Sequence, residues 1–356
     1  VNAVLQVLDP GLGNTVQDLG RTGHRHWGVP VAGALDPLWA RAANALLGNA
    51  PAAAVLELRL LGPRLQADGG TVQVAVVGEV MASVERVGGT VQPLPGWCTV
   101  TLRPGDTLRL GAVRGLAYLG VAGGIDVPPV LGSRATHERT AMGGLGGRAL
   151  CAGDRLPCGA PGPETPTTER RGEPLSDPDA PVRVLLGPQD DHFPPEAIRT
   201  LCGAAWRVTA ERDRMGMRLA GPPLVHRTPA HADIVSDAVA PGAIQVPASG
   251  QPIVLLADAQ TVGGYPKIAT VIRADWGRLA RWPVDVPLRF APVTLAQAHD
   301  ALRAQAEALQ HWSRALRPWH PPGYVDLRRL YEHNLISGVV SMCDGSVTAD
   351  AAEEPT

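Results

Sequence analysis

Within ten residues, DAQTVGGYPK at 258–267, the chain gathers Asp258, Gln260, Thr261, Tyr265 and Lys267 around a Gly263-Gly264 pair. A carboxylate, a carboxamide, a hydroxyl, a phenol and an ammonium this close together can orient and polarise a small polar substrate. The paired glycines let backbone or ligand approach closely. Lys267 is the most distinctive of the set. It is the only lysine among 32 basic residues, the rest being arginine. A compact ammonium can shift its pKa or act as a point charge, as a planar guanidinium cannot. The competing reading is a lysine whose head sits in solvent.

Those groups need a frame. Short apolar runs at 242–246, 252–257 and 268–272 are expected as strands, with Pro-Ala-Ser-Gly at 247–250 as a turn. A loop between two buried strands is where a β-rich domain carries binding or catalytic groups. A second polar block, TVQDLGRTGHRHWGVPVAGALD at 15–36, contains Gln17, Asp18, Arg21, His24 and His26, too many to be core. Asp18 and Arg21 suit the binding of a carboxylate, or a structural ion pair in the loop. His24 and His26 have metal-ligand spacing on an extended strand, but Asp18 is the one acid nearby and no metal is expected. Asp36, Pro37 and Gly48 then mark the start and stop of a helix. Its inward face should be Leu38, Trp39, Ala42, Ala43, Leu46 and Leu47.

From 55 to 119 strand follows strand, at VLELRL, TVQVAVVG, TVQPL, CTVTL, DTLRLG and GLAYLGVAG, without helices between. That spacing reads as an antiparallel barrel or sandwich rather than a βαβ fold. The loop at 124–154 has two glycine pairs, and Gly143 to Gly147 offers either an anion cradle of backbone amides or plain turns. No Gly-Lys-Ser/Thr follows, so it is not a nucleotide P-loop. Residues 158–181, with six prolines and no apolar period, read as a linker. Beyond it come a strand at 182–186 and a helix at 195–201 closed by Gly203. Gly216-Met-Arg218-Leu-Ala-Gly221 repeats the spacing of Gly23-His-Arg25-His-Trp-Gly28 and hints at two related halves. Thr294 and Gln297 form a capping box for a helix reaching about Arg317, with Leu295, Ala298, Leu302, Leu309, Trp312 and Leu316 as one docking stripe. A short helix at 326–334 and a disordered acidic end from Thr348 are expected after it.

Composition narrows the class. At 356 residues the chain can hold two cored domains. A net charge of −2 and the lack of a basic run argue against nucleic acid or an anionic membrane as partner. No 18-residue apolar span or leader is found, so a soluble cytoplasmic protein is expected. Gly and Pro, 41 and 34 residues, fit many turns between short strands. Five cysteines, an odd number without a CxxC pair, indicate neither a zinc site nor a disulfide framework.

The block TVQDLGRTGHRHWGVPVAGALD, with GVAGGIDVPPVLGSRAT, DRMGMRLAGPPL and PGAIQVPASGQPIVLLADAQTVGGYPKIATVI, resembles the 5-oxoprolinase C-subunit family in the family's own order. That family is also called allophanate hydrolase subunit 2, and the motifs run from 15 to 272. The resemblance implies a mainly β fold of two cyclophilin-like β-barrel domains with a few short helices and a C-terminal helix. The boundaries would be 1–157, a linker at 158–181, 182–293, and a helix and tail at 294–356. It implies one member of an ATP-dependent 5-oxoprolinase complex, active only with its A-type and B-type partners, the latter kinase-inhibitor-like. Lys267, Tyr265 and Arg214 would then carry the chemistry, and Gln17, Asp18, Arg21, Gln245 and Gln260 would hold the substrate. ATP with Mg2+ would be held by the assembled complex. The carboxyltransferase part of urea carboxylase resembles the same family, so carboxyl transfer is an alternative, with no covalent biotin on this chain. A non-catalytic partner of the kinase-inhibitor-like component is another. Two departures stand out: Arg212 replaces the usual Ser before Asp-Arg, and Leu279-Ala-Arg-Trp-Pro lacks the usual Gln and Pro-Gly-Asp.

Overall fold

A computed structural model describes residues 3–320. Among them the chain is mainly β, with four α-helices: α1 (Pro37–Leu47), α2 (Pro195–Gly203), α3 (Trp276–Arg281) and α4 (Leu295–Arg314). No helix of the described residues is long and apolar enough to cross a membrane.

The strands form two large sheets. Eleven strands, all but one from the first half of the chain, make the larger, and its centre is a pair of long antiparallel strands, Val72–Glu85 and Thr107–Val121. The sequence pattern suggests that Gly78 ends one strand and that the other is two strands broken near Gly111 and Gly115. Instead both run through their glycines. Gly78 has φ 112° and Gly115 φ 75°, and a Cβ on Gly78 would lie 2.8 Å from the Leu116 carbonyl. Glycine here bends a continuing strand at a bulge, with register shifts on both sides of Val80.

Eight strands between 182 and 292 make the second sheet. Its two outermost strands, Pro287–Leu288 and Phe290–Pro292, are separated by Arg289 alone. One pairs with Trp206–Arg212 and the other, in parallel, with Val182–Leu186. Opposite edges joined by a single residue mean that the sheet rolls until it nearly closes into a barrel. Its inner strands Ala243–Gln245, Ile253–Leu255 and Lys267–Val271 fall within two residues of their expected bounds. The turn between the first two closes with Gly250 N donating to Pro247 O at 2.9 Å.

Helix signals fare well. The Asp36 carboxylate accepts from Leu38 N and Trp39 N, Pro37 opens α1, and Gly48 closes it in the left-handed region. Of the expected inward face all but Leu38 are buried, and Trp39, Leu46 and Leu47 share one apolar core with Phe193, Ile244 and Val271 of the second half. The capping box of α4 is present, although the helix stops at Arg314. Its stripe docks by the far end only: Leu309, Trp312 and Leu316 pack on the core while Leu295 is exposed. Helix α3 was hidden in the sequence, six residues with no apolar period.

The proline-rich stretch 158–181 is not bare. Arg170–Arg171 pairs with Cys98 on one side and Arg317–Pro318 on the other. Glu169 accepts from Thr99 Oγ1 at 2.9 Å and Thr101 N at 2.7 Å. Backbone pairing needs no apolar period, so composition could not announce it. The Gly-x-Arg-x-x-Gly repeat has no common conformation: Gly216–Ala220 is a strand, whereas Arg25–Trp27 is a 3-10 turn. Cys98, Cys151, Cys158 and Cys202 are free thiols. The helix expected at 326–334, Cys343 and the acidic end lie outside the described residues.

Candidate active site

A cleft of about 490 Å³ opens on the second sheet. Strands Trp206–Arg212 and Gly216–Ala220 supply Arg212 and Arg218, the turn between them supplies Asp213 and Met215, and the far wall is Gln245, Gln260 and Tyr265. Three of the expected site residues therefore converge. Gln245 ends its strand with a buried side chain, and its Nε2 donates to the Tyr265 carbonyl at 3.4 Å. A Cβ on Gly263 would sit 2.6 Å from that Nε2. The glycine is what lets the loop close against the carboxamide. Tyr265 is 41% exposed. Two carboxamides and a phenol can hold a small polar molecule by neutral hydrogen bonds without opposing its charge.

Charge enters through Arg212. Arg218 is neutralised by Glu211 at 2.8 Å, and Asp213 is occupied by the Met215 and Gly216 amides at 2.7 and 3.1 Å. Arg212 donates to the Trp282 carbonyl and has no ion pair among the described residues. Burial and the neighbouring Arg59 charge push its pKa down. Of the two arginines that line the cleft it is the one without an ion pair among the described residues, and it also lines the neighbouring cavity that holds Arg59. Sequence reasoning flagged Arg212 as a departure without placing it in the site. Both departures prove to be neighbours, since Trp282 belongs to the second.

Lys267 lies elsewhere. Its strand position faces Gln245 in register, but its ammonium, on a side chain 2% exposed, donates to Asp237 at 2.8 Å and to the Ala238 carbonyl at 3.0 Å. Gln189 joins the same knot, donating to Asp237 at 3.1 Å and accepting from Lys267 N at 3.1 Å. Lys267, then the Ala238 amide and Gln189, hold the Asp237 carboxyl below its usual pKa. The lysine thus pins the small ribbon of Asp237–Ala238 and Val262–Gly263 that leads into Tyr265. It is neither solvated nor free.

Arg214 occupies the core between the two sheets. It donates twice to Asp258, at 2.9 Å each, to the Gly33 carbonyl at 2.7 Å, and to Glu57. Glu57 in turn accepts from Tyr118 Oη and from Leu35 N, both at 2.8 Å. Burial works against the Arg214 charge, but Glu57 and Asp258 outweigh it and hold the guanidinium above its usual range. Burial, and next the Glu57 charge, push the Tyr118 phenol well above its usual value. Glu57 and Tyr118 were not singled out from sequence: inside strands, a polar residue gives no sign of which neighbour it meets.

Gln17, Asp18 and Arg21 form a separate group beneath the loop at 133–144. Asp18 accepts from Ser133 Oγ and Arg134 N, both at 2.6 Å, and from Gly20 N at 2.7 Å, so it does not pair with Arg21. Gln17 donates to Thr15 Oγ1 at 3.0 Å and to the Thr136 carbonyl at 3.1 Å. Arg21 donates to the Ala135 carbonyl, and its Nε and Nη1 are buried without a partner among the described residues. Burial lowers its pKa against the pull of Asp18 and Asp258. The glycine pairs at 143–147 turn tightly over this group: Gly144 N is spent on Arg134 O at 2.9 Å and Gly147 N on Gly143 O at 2.7 Å. His24 and His26 lie tilted against Trp27, with ring centroids 5.3 and 4.5 Å away.

Comparison with known proteins adds a second line. The family model for the carboxyltransferase domain, subdomain A and B, matches residues 27–292. The 5-oxoprolinase C subunit of Escherichia coli (strain K12) is 37% identical over 306 residues, 85% of this chain and 95% of that one. The crystal structure of K. lactis urea amidolyase superposes with a TM-score of 0.76 at 28% identity, covering 87% of this chain and 20% of that one. The crystal structure of TTHA0988 gives 0.70 at 35% identity over 82% of this chain and 56% of that one. This chain therefore spans a fifth of the amidolyase and little more than half of TTHA0988.

Proposed function

The chain belongs to the carboxyltransferase-domain family, and from that premise we propose that it works as the C component of an ATP-dependent 5-oxoprolinase. The reaction would open 5-oxo-L-proline to L-glutamate, and this component would act in activating the lactam. We read the two sheets as a pair of cyclophilin-like barrels, with the domain bounds given above and a cytoplasmic location. The observation that carries the reading is the meeting of Gln245, Gln260 and Tyr265 in one cleft whose lining includes Arg212.

An unstrained amide is a poor electrophile, and the chemistry ATP supplies is a phosphate on the lactam oxygen that makes it a leaving group. Among the described residues no group of three or more His, Cys, Asp or Glu is placed to hold a metal ion. We assign the nucleotide to the complex assembled with the A-type and B-type partners. What this chain would contribute is binding and orientation. The carboxamides of Gln245 and Gln260 take the lactam N–H and C=O, Tyr265 donates as well, and Arg212 faces the substrate carboxylate. Lys267 acts through position, holding the ribbon beside Tyr265. Arg214 keeps the two sheets in register under the cleft.

The test is 5-oxoproline-dependent ATP hydrolysis by the three co-expressed components. We expect turnover with all of them, none with this chain alone, and a loss of about 10²-fold in Gln245→Ala, the scale for removing one oriented donor. Robust turnover by the isolated chain would refute the obligate partnership. Likeness to urea amidolyase supports a second reading, carboxyl transfer to urea from a carrier on another chain; bicarbonate- and urea-dependent ATP hydrolysis in place of 5-oxoproline dependence would favour it. A complex that turns over neither substrate would favour a regulatory partner.

A further inference from the structure

A different cavity, of about 240 Å³, lies behind the loop that carries Gln260, separated from the cleft by Leu255, which lines both. Its walls come from both halves of the chain: Leu19, Val31 and Leu35 on one side, Leu256, Trp276 and Leu279 on the other. No Asp or Glu lines it, and its charged members are Arg25 and Arg273. Arg25 donates to the Val239 carbonyl and, at 3.2 Å, to the Gln260 carbonyl, while its Nη1 is buried with no partner among the described residues. Arg273 is exposed, lies 5.9 Å from the Trp276 ring, and has no ion pair among those residues. Arg41 stands close by with a buried, unpartnered Nε, and burial together with the Arg273 charge lowers its pKa. The nearby acids are committed elsewhere: Asp36 to Arg281, Asp258 to Arg214 and Asp275 to Arg183.

An apolar chamber with arginines at its edge and no acid to neutralise them complements a small amphipathic monoanion. The apolar part would gain from burial at roughly 25 cal/mol per Å². The carboxylate would meet a planar donor fork that Lys could not supply. Size is bounded too: at roughly 30 Å³ per water-sized group, the space takes about eight such groups. We propose that this cavity is a second ligand site, for a small apolar monocarboxylate of the size of hexanoate or benzoate. It is distinct from the cleft. A lactam carries no charge to meet the arginines, and no carboxylate lines the cavity to accept from its N–H. The two sites share the Arg25–Gln260 contact, so an occupant that draws on Arg25 reaches the wall of the cleft.

Isothermal titration of the full chain with hexanoate and benzoate, beside hexanamide and benzamide, tests this. The carboxylates should bind one to one and the neutral amides at least tenfold more weakly. Arg273→Gln, at an exposed position that should not disturb folding, should weaken the carboxylates about fivefold or more, and Val31→Trp should block them by filling the space. Excess 5-oxoproline should not displace them. The proposal is overturned if none of the acids binds at millimolar concentration, if amide and acid bind alike, if Arg273→Gln changes nothing, or if 5-oxoproline competes.

Discussion

Replacing Arg214 with Met probes the joint between the sheets. The side chain is buried together with Glu57 and Asp258 and engages both carboxylates plus a carbonyl. Methionine fills much of the volume but leaves two carboxylates facing one another without a cation. Breaking a buried pair by removing one partner costs about 3–5 kcal/mol. At about 2–4 °C per kcal/mol, the melting temperature should fall by roughly 6–20 °C. Urea titration and calorimetry on the purified chain read the loss directly. The control is the triple variant Arg214→Met, Glu57→Gln, Asp258→Asn, which removes the stranded charges and should recover much of the loss, since buried ion pairs often exchange for neutral groups at little cost. If Arg214→Met lies within about 1 kcal/mol of wild type, the three groups do not form the knot described, and the joint between the sheets is held by apolar packing alone.

Three further outcomes are expected. Lys267→Met should lower turnover of the assembled complex with the fold intact, because Asp237 is half-exposed; adding Asp237→Asn should make it no worse, since both act through one ribbon, and additive losses would exclude that role. Gly277→Ala should destabilise despite the better helix propensity of alanine, because its Cβ would lie 2.2 Å from Asp36 Oδ1; an unchanged melting temperature contradicts this. Asp106 accepts from Arg103 N at 2.9 Å, Arg86 Nη1 at 2.8 Å and Val87 N at 3.1 Å. Burial raises its pKa, but those bonds outweigh it and leave the carboxyl below its usual range. A depressed folded pKa stabilises above the unfolded value and is lost as pH falls, so Asp106→Asn should be less stable than wild type at pH 7, with the gap closing below about pH 4.

Whatever neighbours along the chain decide was legible without coordinates. The Asp36 cap, Pro37 and Gly48 bound α1 because capping is a matter of backbone groups within one turn. Apolar runs located Ala243–Gln245, Ile253–Leu255 and Lys267–Val271 within two residues, though not the strands Trp206–Arg212 and Gly216–Ala220, and the crowding of polar types at 258–267 pointed to Gln260 and Tyr265. Local pattern could also go astray over short distances: a glycine signals a strand end and a bulge alike, and only the partner strand chooses between them at Gly78.

The partners of charge were set by the fold alone. Arg214 meets Glu57 from 157 positions away, Asp18 meets Ser133 from 115, and Lys267 meets Asp237 from 30. Nothing periodic in the chain encodes those pairings. They arise because the second sheet rolls until its edges nearly meet and because α1 of the first half enters its core. Once water is expelled there, each buried charge must find whichever opposite group the fold has brought within reach. For that reason the lone lysine, conspicuous in the sequence for its rarity, is in the folded protein half of an ion pair, while Arg212 has none among the described residues and rests on the Trp282 carbonyl.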